Sequence, residues 1–179
     1  GAALNNLGLV ALHDGDYPAA RALYDECLKI FRDLGNRQAM ASPLSNLGLV
    51  AYHQGDYVGA CALYQESLVI FWDLRDRWGI ALSLEGLAYI ALARGGPVQA
   101  ARLWGAAKRL REEIGCPLPP SERSRYDAQV AATRAAIDDD AAFDLAWNEG
   151  GGMTLEQAIE YALGQGTMRD QPTAVPQSR

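Results

Sequence analysis

Apolar residues stand at Leu4, Leu7, Val10 and Ala11. After a Gly15-Asp16 break they resume at Ala20, Leu23, Tyr24, Cys27, Leu28 and Phe31. Both stripes keep the three- and four-residue spacing of a helix with one buried face, so two helices joined by a short turn are predicted. Asp16 is placed to cap the second helix, Pro18 is tolerated in its first turn, and Gly35-Asn36 ends it. The succession then restarts with Leu44, Leu47, Gly48 and Ala51, the turn Gly55-Asp56-Tyr57, and Ala60, Leu63, Tyr64, Leu68 and Phe71. Asn46-Leu47-Gly48-Leu49-Val50-Ala51 repeats Asn6-Leu7-Gly8-Leu9-Val10-Ala11 forty positions on, and more than half of residues 1–40 equal their partners in 41–80. A more divergent third copy has Leu84, Leu87, Ala88 and Ala91, then Gly95-Gly96-Pro97, then Ala100, Leu103 and Trp104. A fixed period of this length marks a repeat architecture whose units bury their apolar faces against one another.

Beyond Ile114-Gly115 the pattern changes. Cys116-Pro117-Leu118-Pro119-Pro120 cannot continue a helix and predicts a turn or linker. Tyr126, Val130 and Ile137 then keep helical spacing, Asp138-Asp139-Asp140 can cap a short helix carrying Phe143, Ala146 and Trp147, and Gly150-Gly151-Gly152 is expected to break it as a flexible hinge. Thr154-Leu155-Glu156-Gln157 is a capping-box pattern opening a last helix. The expected organisation is therefore three repeats at 1–40, 41–80 and 81–114, closing helices over 115–163, and a disordered polar tail over 164–179. The closing helices would cover the apolar side of the last repeat with Tyr126, Val130, Phe143, Trp147 and Ile159.

The spacing carries a resemblance. Leu4-x-x-Leu7-Gly8-x-x-Ala11 followed by Ala20-x-x-x-Tyr24 resembles the tetratricopeptide repeat, with Gly8, Gly48 and Ala88 as the small residues of the first helices and Ala20, Ala60 and Ala100 as those of the second. Ala11, Ala51 and Ala91 replace the usual last aromatic tier, and the terminal Pro is absent. The long exits Leu34-Gly35-Asn36-Arg37 and Leu74-Arg75-Asp76-Arg77 are similar to the long-period variety found in kinesin light chains, polarity adaptors of the Pins type and regulators resembling the maltose activator. The resemblance implies an all-α, right-handed solenoid of three helical hairpins with C-terminal capping helices. A second resemblance rests on Leu103-Trp104-Gly105-Ala106-Ala107, Pro117-Leu118-Pro119-Pro120, Ala146-Trp147-x-Glu149-Gly150 and Met153-Thr154-Leu155-Glu156-Gln157-Ala158. It is to the C-terminal ends of bacterial signalling regulators with a STAND-type NTPase core, often joined to a LuxR-type DNA-binding module. The chain begins at Gly1 inside a predicted helix, which fits a piece of such a longer protein.

Composition narrows the function. A net charge of −6 and a pI near 4.9 disfavour phosphate binding, so direct nucleic-acid contact is not expected. Lys108, Arg109, Arg111, Arg123 and Arg125 are interleaved with Glu112, Glu113 and Glu122, which reads as a solvated, salt-bridged face. Cys27, Cys61 and Cys116 are odd in number and form no C-x-x-C pair, favouring reduced thiols and a cytoplasmic location. No apolar run reaches membrane-spanning length.

No phosphate loop, nucleophile elbow or paired-Cys motif appears, so neither cofactor nor catalysis is expected. His13 and His53 hold equivalent repeat positions, where a metal would need further converging ligands; they are read as groove or packing residues. If Leu4, Leu7 and Ala11 pack inward, Asn6, Leu9 and His13 share another face of the first helix, matched by Asn46, Leu49 and His53 and then by Gly86, Tyr89 and Ala93. With the flanking Asn5, Ser45, Tyr52 and Glu85 this makes a stripe of amides, aliphatic surface and aromatic rings that suits an extended peptide. The resemblance to the long-period arrays implies that Asn6 and Asn46 meet a ligand backbone, with Gly86 leaving that ladder one rung short. Leu9 and Leu49 stand where a chaperone-tail clamp has Asn, which argues against that mode. The same stripe equally suits contact with other domains of a parent protein. A homodimer through the first hairpin and a small-molecule inducer pocket beside the closing helices are the alternatives.

Overall fold

The computed structural model describes residues 1–164, so the tail expected over 164–179 lies outside the described residues apart from Gly164, which forms a turn. Nine α-helices are described: α1 Ala2–His13, α2 Tyr17–Asp33, α3 Ala41–His53, α4 Tyr57–Asp73, α5 Arg77–Ala93, α6 Pro97–Glu113, α7 Pro120–Ile137, α8 Asp140–Gly152 and α9 Leu155–Ala162. No strand occurs among the described residues. The fold is an all-helical solenoid of tetratricopeptide type. α1 packs on α2, α3 on α4 and α5 on α6, and α2–α3 and α4–α5 contacts join successive hairpins.

The three hairpin turns share a glycine conformation, and the first two also share an aspartate cap that Gly96 replaces in the third. Gly15, Gly55 and Gly95 adopt φ near +80°, a conformation that costs glycine nothing. The Asp16 and Asp56 carboxylates then accept hydrogen bonds from the Ala19 and Gly59 backbone N–H groups at 3.0 and 2.8 Å, satisfying donors that a helix start leaves free. Within a hairpin the helices cross closely because the first helix carries glycine. A Cβ on Gly8 would stand 2.6 Å from the Tyr24 ring, and one on Gly48 would stand 2.9 Å from the Tyr64 ring.

The copies differ where α3 and α5 begin. Residues Gln38–Met40 form a separate 3-10 turn ahead of α3, whereas the equivalent residues are already part of α5. Pro43, in the first turn of α3, has no N–H to return to the Ala39 carbonyl four residues back, so the α-helix does not extend back through Gln38–Met40. At the equivalent place α5 has Ser83, whose hydroxyl also donates to the Gly79 carbonyl at 2.9 Å. Asp76 caps α5 through both the Trp78 and Gly79 N–H groups, so the helix starts at Arg77.

The core runs from α2 to α6 and is finished by α9 and α8. In the first hairpin Leu4 is half-buried and Ala11 packs against the core, but Leu7 departs from the expected inward packing. Leu7 and Val10 are 55% and 59% exposed, while their equivalents Leu47, Val50, Leu87 and Ile90 are buried, because those residues have a preceding hairpin to pack against.

The glycine triplet is also corrected. Gly150, Gly151 and Gly152 belong to α8. A Cβ on Gly150 would collide with the Arg102 backbone, and one on Gly105 with the Trp147 backbone, so these glycines let α6 and α8 touch main chain to main chain. Arg109 donates from Nη1 to the carbonyls of Gly151 and Met153 at 3.1 and 2.6 Å, a cation at the carbonyl end of the helix. Neither observation fits a hinge. The Thr154 capping box forms, with Thr154 and Gln157 bonding each other's backbone.

Candidate functional site

The first helices α1, α3 and α5 line a groove of about 390 Å³, and α7 forms its remaining wall. Seven of the residues nominated from the sequence meet there: Leu9 and His13 on α1, Ser45, Asn46 and Leu49 on α3, and Glu85 and Tyr89 on α5. The other four do not line it. Asn6 is exposed. Asn5 accepts a long 3.4 Å hydrogen bond from Asn46 Nδ2, so the two amides bridge α1 to α3.

Tyr52 and His53 instead join an aromatic chain between hairpins. His53 stacks on Tyr17 with ring centroids 4.8 Å apart, Tyr52 lies 5.8 Å from Tyr89, Tyr89 meets Trp104 edge-on at 4.9 Å, and Trp104 meets Tyr126 at 5.0 Å. Although His53 is an exposed residue, desolvation of its ring, assisted by the nearby Arg125 charge, lowers its pKa below the ordinary value. Among the described residues no group of three or more His, Cys, Asp or Glu side chains is placed to hold a metal ion.

Glu85 borders the groove but is not free to act in it. It is only 6% exposed, and both of its carboxylate oxygens are taken by Arg111, which is itself buried. This alters the expected solvated basic face: Arg111 has left it for the interior, while Lys108 and Arg109 do pair with Glu112 and Glu113.

The remaining lining residues escape a stripe drawn on the repeated hexapeptide. Trp78 and Leu82 extend the Glu85 and Tyr89 stripe by two further turns of α5, a signal that helical periodicity carries. Tyr64, from α4, has the pattern of a core residue; its ring lies where a Cβ on Gly86 would be. Gly86 thus leaves out a rung of the asparagine ladder and gives the tyrosine a passage to the groove. From α7 and its approach come Leu118, Glu122, Arg125 and Tyr126. Leu118, Glu122 and Arg125 stand forty positions after Trp78, Leu82 and Glu85, so α7 continues the repeat register on the groove side. It is not half of a fourth hairpin, since α8 packs chiefly on α6 and touches α7 little.

An all-helical solenoid with a groove along its first helices is the architecture of a protein-interaction scaffold. Residues 1–71 match the model of the tetratricopeptide repeat family, a family of repeats that mediate contacts between proteins. No curated protein and no solved structure matches the chain. Among the described residues no helix is long and apolar enough to cross a membrane.

Proposed function

We propose that the chain is a non-catalytic peptide-binding module whose site is the groove between α1, α3, α5 and α7. The observation that carries this reading is the lining itself. Leu9, Leu49, Trp78 and Leu82 offer apolar surface while Asn46 and Ser45 offer groups for a peptide backbone, the mixture expected of an extended-peptide site. Trp78 is 47% exposed and Leu9 43%, so large apolar side chains face solvent at the groove. A random-peptide display library panned on the chain is expected to yield binders that are lost by Leu9→Glu and weakened by Asn46→Ala. Neither change touches a fully buried group, so both variants should melt with the parent. Binders indifferent to both substitutions would place the site elsewhere.

The likeness of the C-terminal part to regulator tails supports a role as the sensing or scaffolding region of a bacterial signalling or transcriptional regulator working in the cytoplasm. The presence of other domains of such a protein as partners follows from that role. Two observations favour different readings. The wall supplied by α7 brings the groove to the size of a small-molecule site, typically about 300–1,000 Å³; a thermal-shift screen against sugars and metabolites that gives hits where the peptide library gives none favours an inducer pocket. The exposed Leu7 and Val10 favour self-association; sedimentation at several concentrations, with Leu7→Lys as control, distinguishes it.

A further inference from the structure

The groove is rich in groups that donate hydrogen bonds and poor in free acceptors. Tyr64 is only 5% exposed, yet it lines the groove and its hydroxyl enters none of the hydrogen bonds formed among the described residues. Burial raises its pKa, which keeps the proton on the phenol at neutral pH. Ser45 is 9% exposed and its hydroxyl is likewise without a partner among the described residues, and Asn46 is held only by its long contact to Asn5. The Arg125 guanidinium lies 5.5 Å from the centre of the Tyr89 ring and joins no ion pair among the described residues. Against these donors stand two carboxylates, Glu85, already saturated by Arg111, and Glu122 at the exposed edge.

A ligand that complements this lining supplies acceptors together with apolar bulk. Resting on the peptide reading of the groove, we propose that its partner is an extended segment with large apolar side chains and a single Asp or Glu, whose carboxylate is held by Arg125 and the Tyr64 hydroxyl. The apolar side chains lie on Leu9, Leu49 and Trp78, and the backbone carbonyls turn to Asn46 and Ser45. One acid is selected over several for an electrostatic reason. Glu122 stands one turn before Arg125 on the same exposed edge of α7, and the chain carries a net charge of −6, so further carboxylates are repelled.

The test is an array of random hexapeptides with amidated ends, so that every carboxylate is a side chain, probed with the fluorescently labelled chain. Binders are then titrated beside counterparts carrying Asp→Asn or Glu→Gln. The acid-bearing peptides are expected to bind roughly tenfold or more tightly than their amide counterparts, the size of one charge-assisted hydrogen bond. Arg125→Gln should abolish that difference, weakening the acid-bearing peptides far more than their amide counterparts. Tyr64→Phe, which keeps the ring, should shrink it severalfold and serves should Arg125→Gln melt early. Binders without an acid preference, binders rich in several acids, or a preference that both variants retain overturn the inference and leave the peptide groove standing. An array without binders overturns the groove reading itself.

Discussion

Glu85 on α5 and Arg111 on α6 form a buried, two-pronged ion pair, with Arg111 Nε and Nη2 donating to the two carboxylate oxygens and the Nη2 bond measuring 2.8 Å. The carboxylate raises the arginine's pKa further. The pair stands where the repeat elsewhere has Asn5 or Ser45 on the first helix and Phe31 or Phe71 on the second, so two departures from the repeat compensate each other. The side chains are only 8% and 6% exposed, so water cannot replace a lost partner.

Arg111→Met, which strands the Glu85 carboxylate, is therefore expected to cost about 3–5 kcal/mol in urea unfolding. Glu85→Gln/Arg111→Met should recover a large part of that loss. A single replacement as harmless as the double one would mean that the two groups are solvated independently.

Glycine substitutions sort by what a Cβ would meet. Gly86→Ala drives a methyl into the Tyr64 ring and should destabilise by about 1–3 kcal/mol, as overpacking does. Gly150→Ala meets the Arg102 backbone, which cannot yield as a side chain can, and should cost more. Gly152→Ala meets nothing within 4 Å and should be neutral or stabilise by up to about 1 kcal/mol. Equal effects at Gly150 and Gly152 in thermal melts would restore the hinge.

The hairpins were legible because Gly8, Gly48 and the capping aspartates recur at a fixed period, and the third, with Ala88 and Gly96 in those places, keeps the same apolar spacing and the same turn glycine. Most of the groove stripe was legible for the same reason. Glycine itself is ambiguous in a sequence: three in a row serve a hinge or a close helix crossing, and only the Arg102 backbone against Gly150 decides which. The groove's fourth wall was hidden because α7 and the segment leading into it keep the repeat register at Leu118, Glu122 and Arg125 while sharing none of the residue types. Glu85 lines the groove as its place in the stripe implies, but its ion pair was hidden because the partner lies 26 residues away in sequence, although the loss of the repeat's Phe at Arg111 was a visible clue.

Arg75 holds φ +55°, where the first copy has Gly35 at φ +64°. A side chain in that left-handed region costs roughly 1–2 kcal/mol, partly offset by the greater unfolded-state freedom of glycine, which is worth roughly 0.5–1 kcal/mol. Arg75→Gly should thus stabilise the chain by about 0.5–1 kcal/mol. Gly35→Ala should destabilise it by a similar amount. A denaturation midpoint that falls for Arg75→Gly would show that the arginine makes a compensating contact.

His53 gives the fold a dependence on acidity whose sign follows from its environment. Its pKa lies below the ordinary 6.5 in the folded chain, chiefly because partial desolvation of the stacked ring disfavours the imidazolium, with Arg125 adding to the effect. The unfolded chain therefore binds the proton first as pH falls. Stability is full above 6.5 and declines as the pH drops from there through the lower folded value, below which no further loss comes from this residue. His53→Phe keeps a ring to stack on Tyr17 and removes the titration, so its midpoint in urea should stay level across that window while the parent's falls. Carboxylates such as Glu113, whose pKa is lowered by Arg109 and Arg77, lose their contribution only below the ordinary 4.5, which separates the two effects. Parallel decline of parent and variant between pH 6.5 and 5 would assign the dependence to some other group.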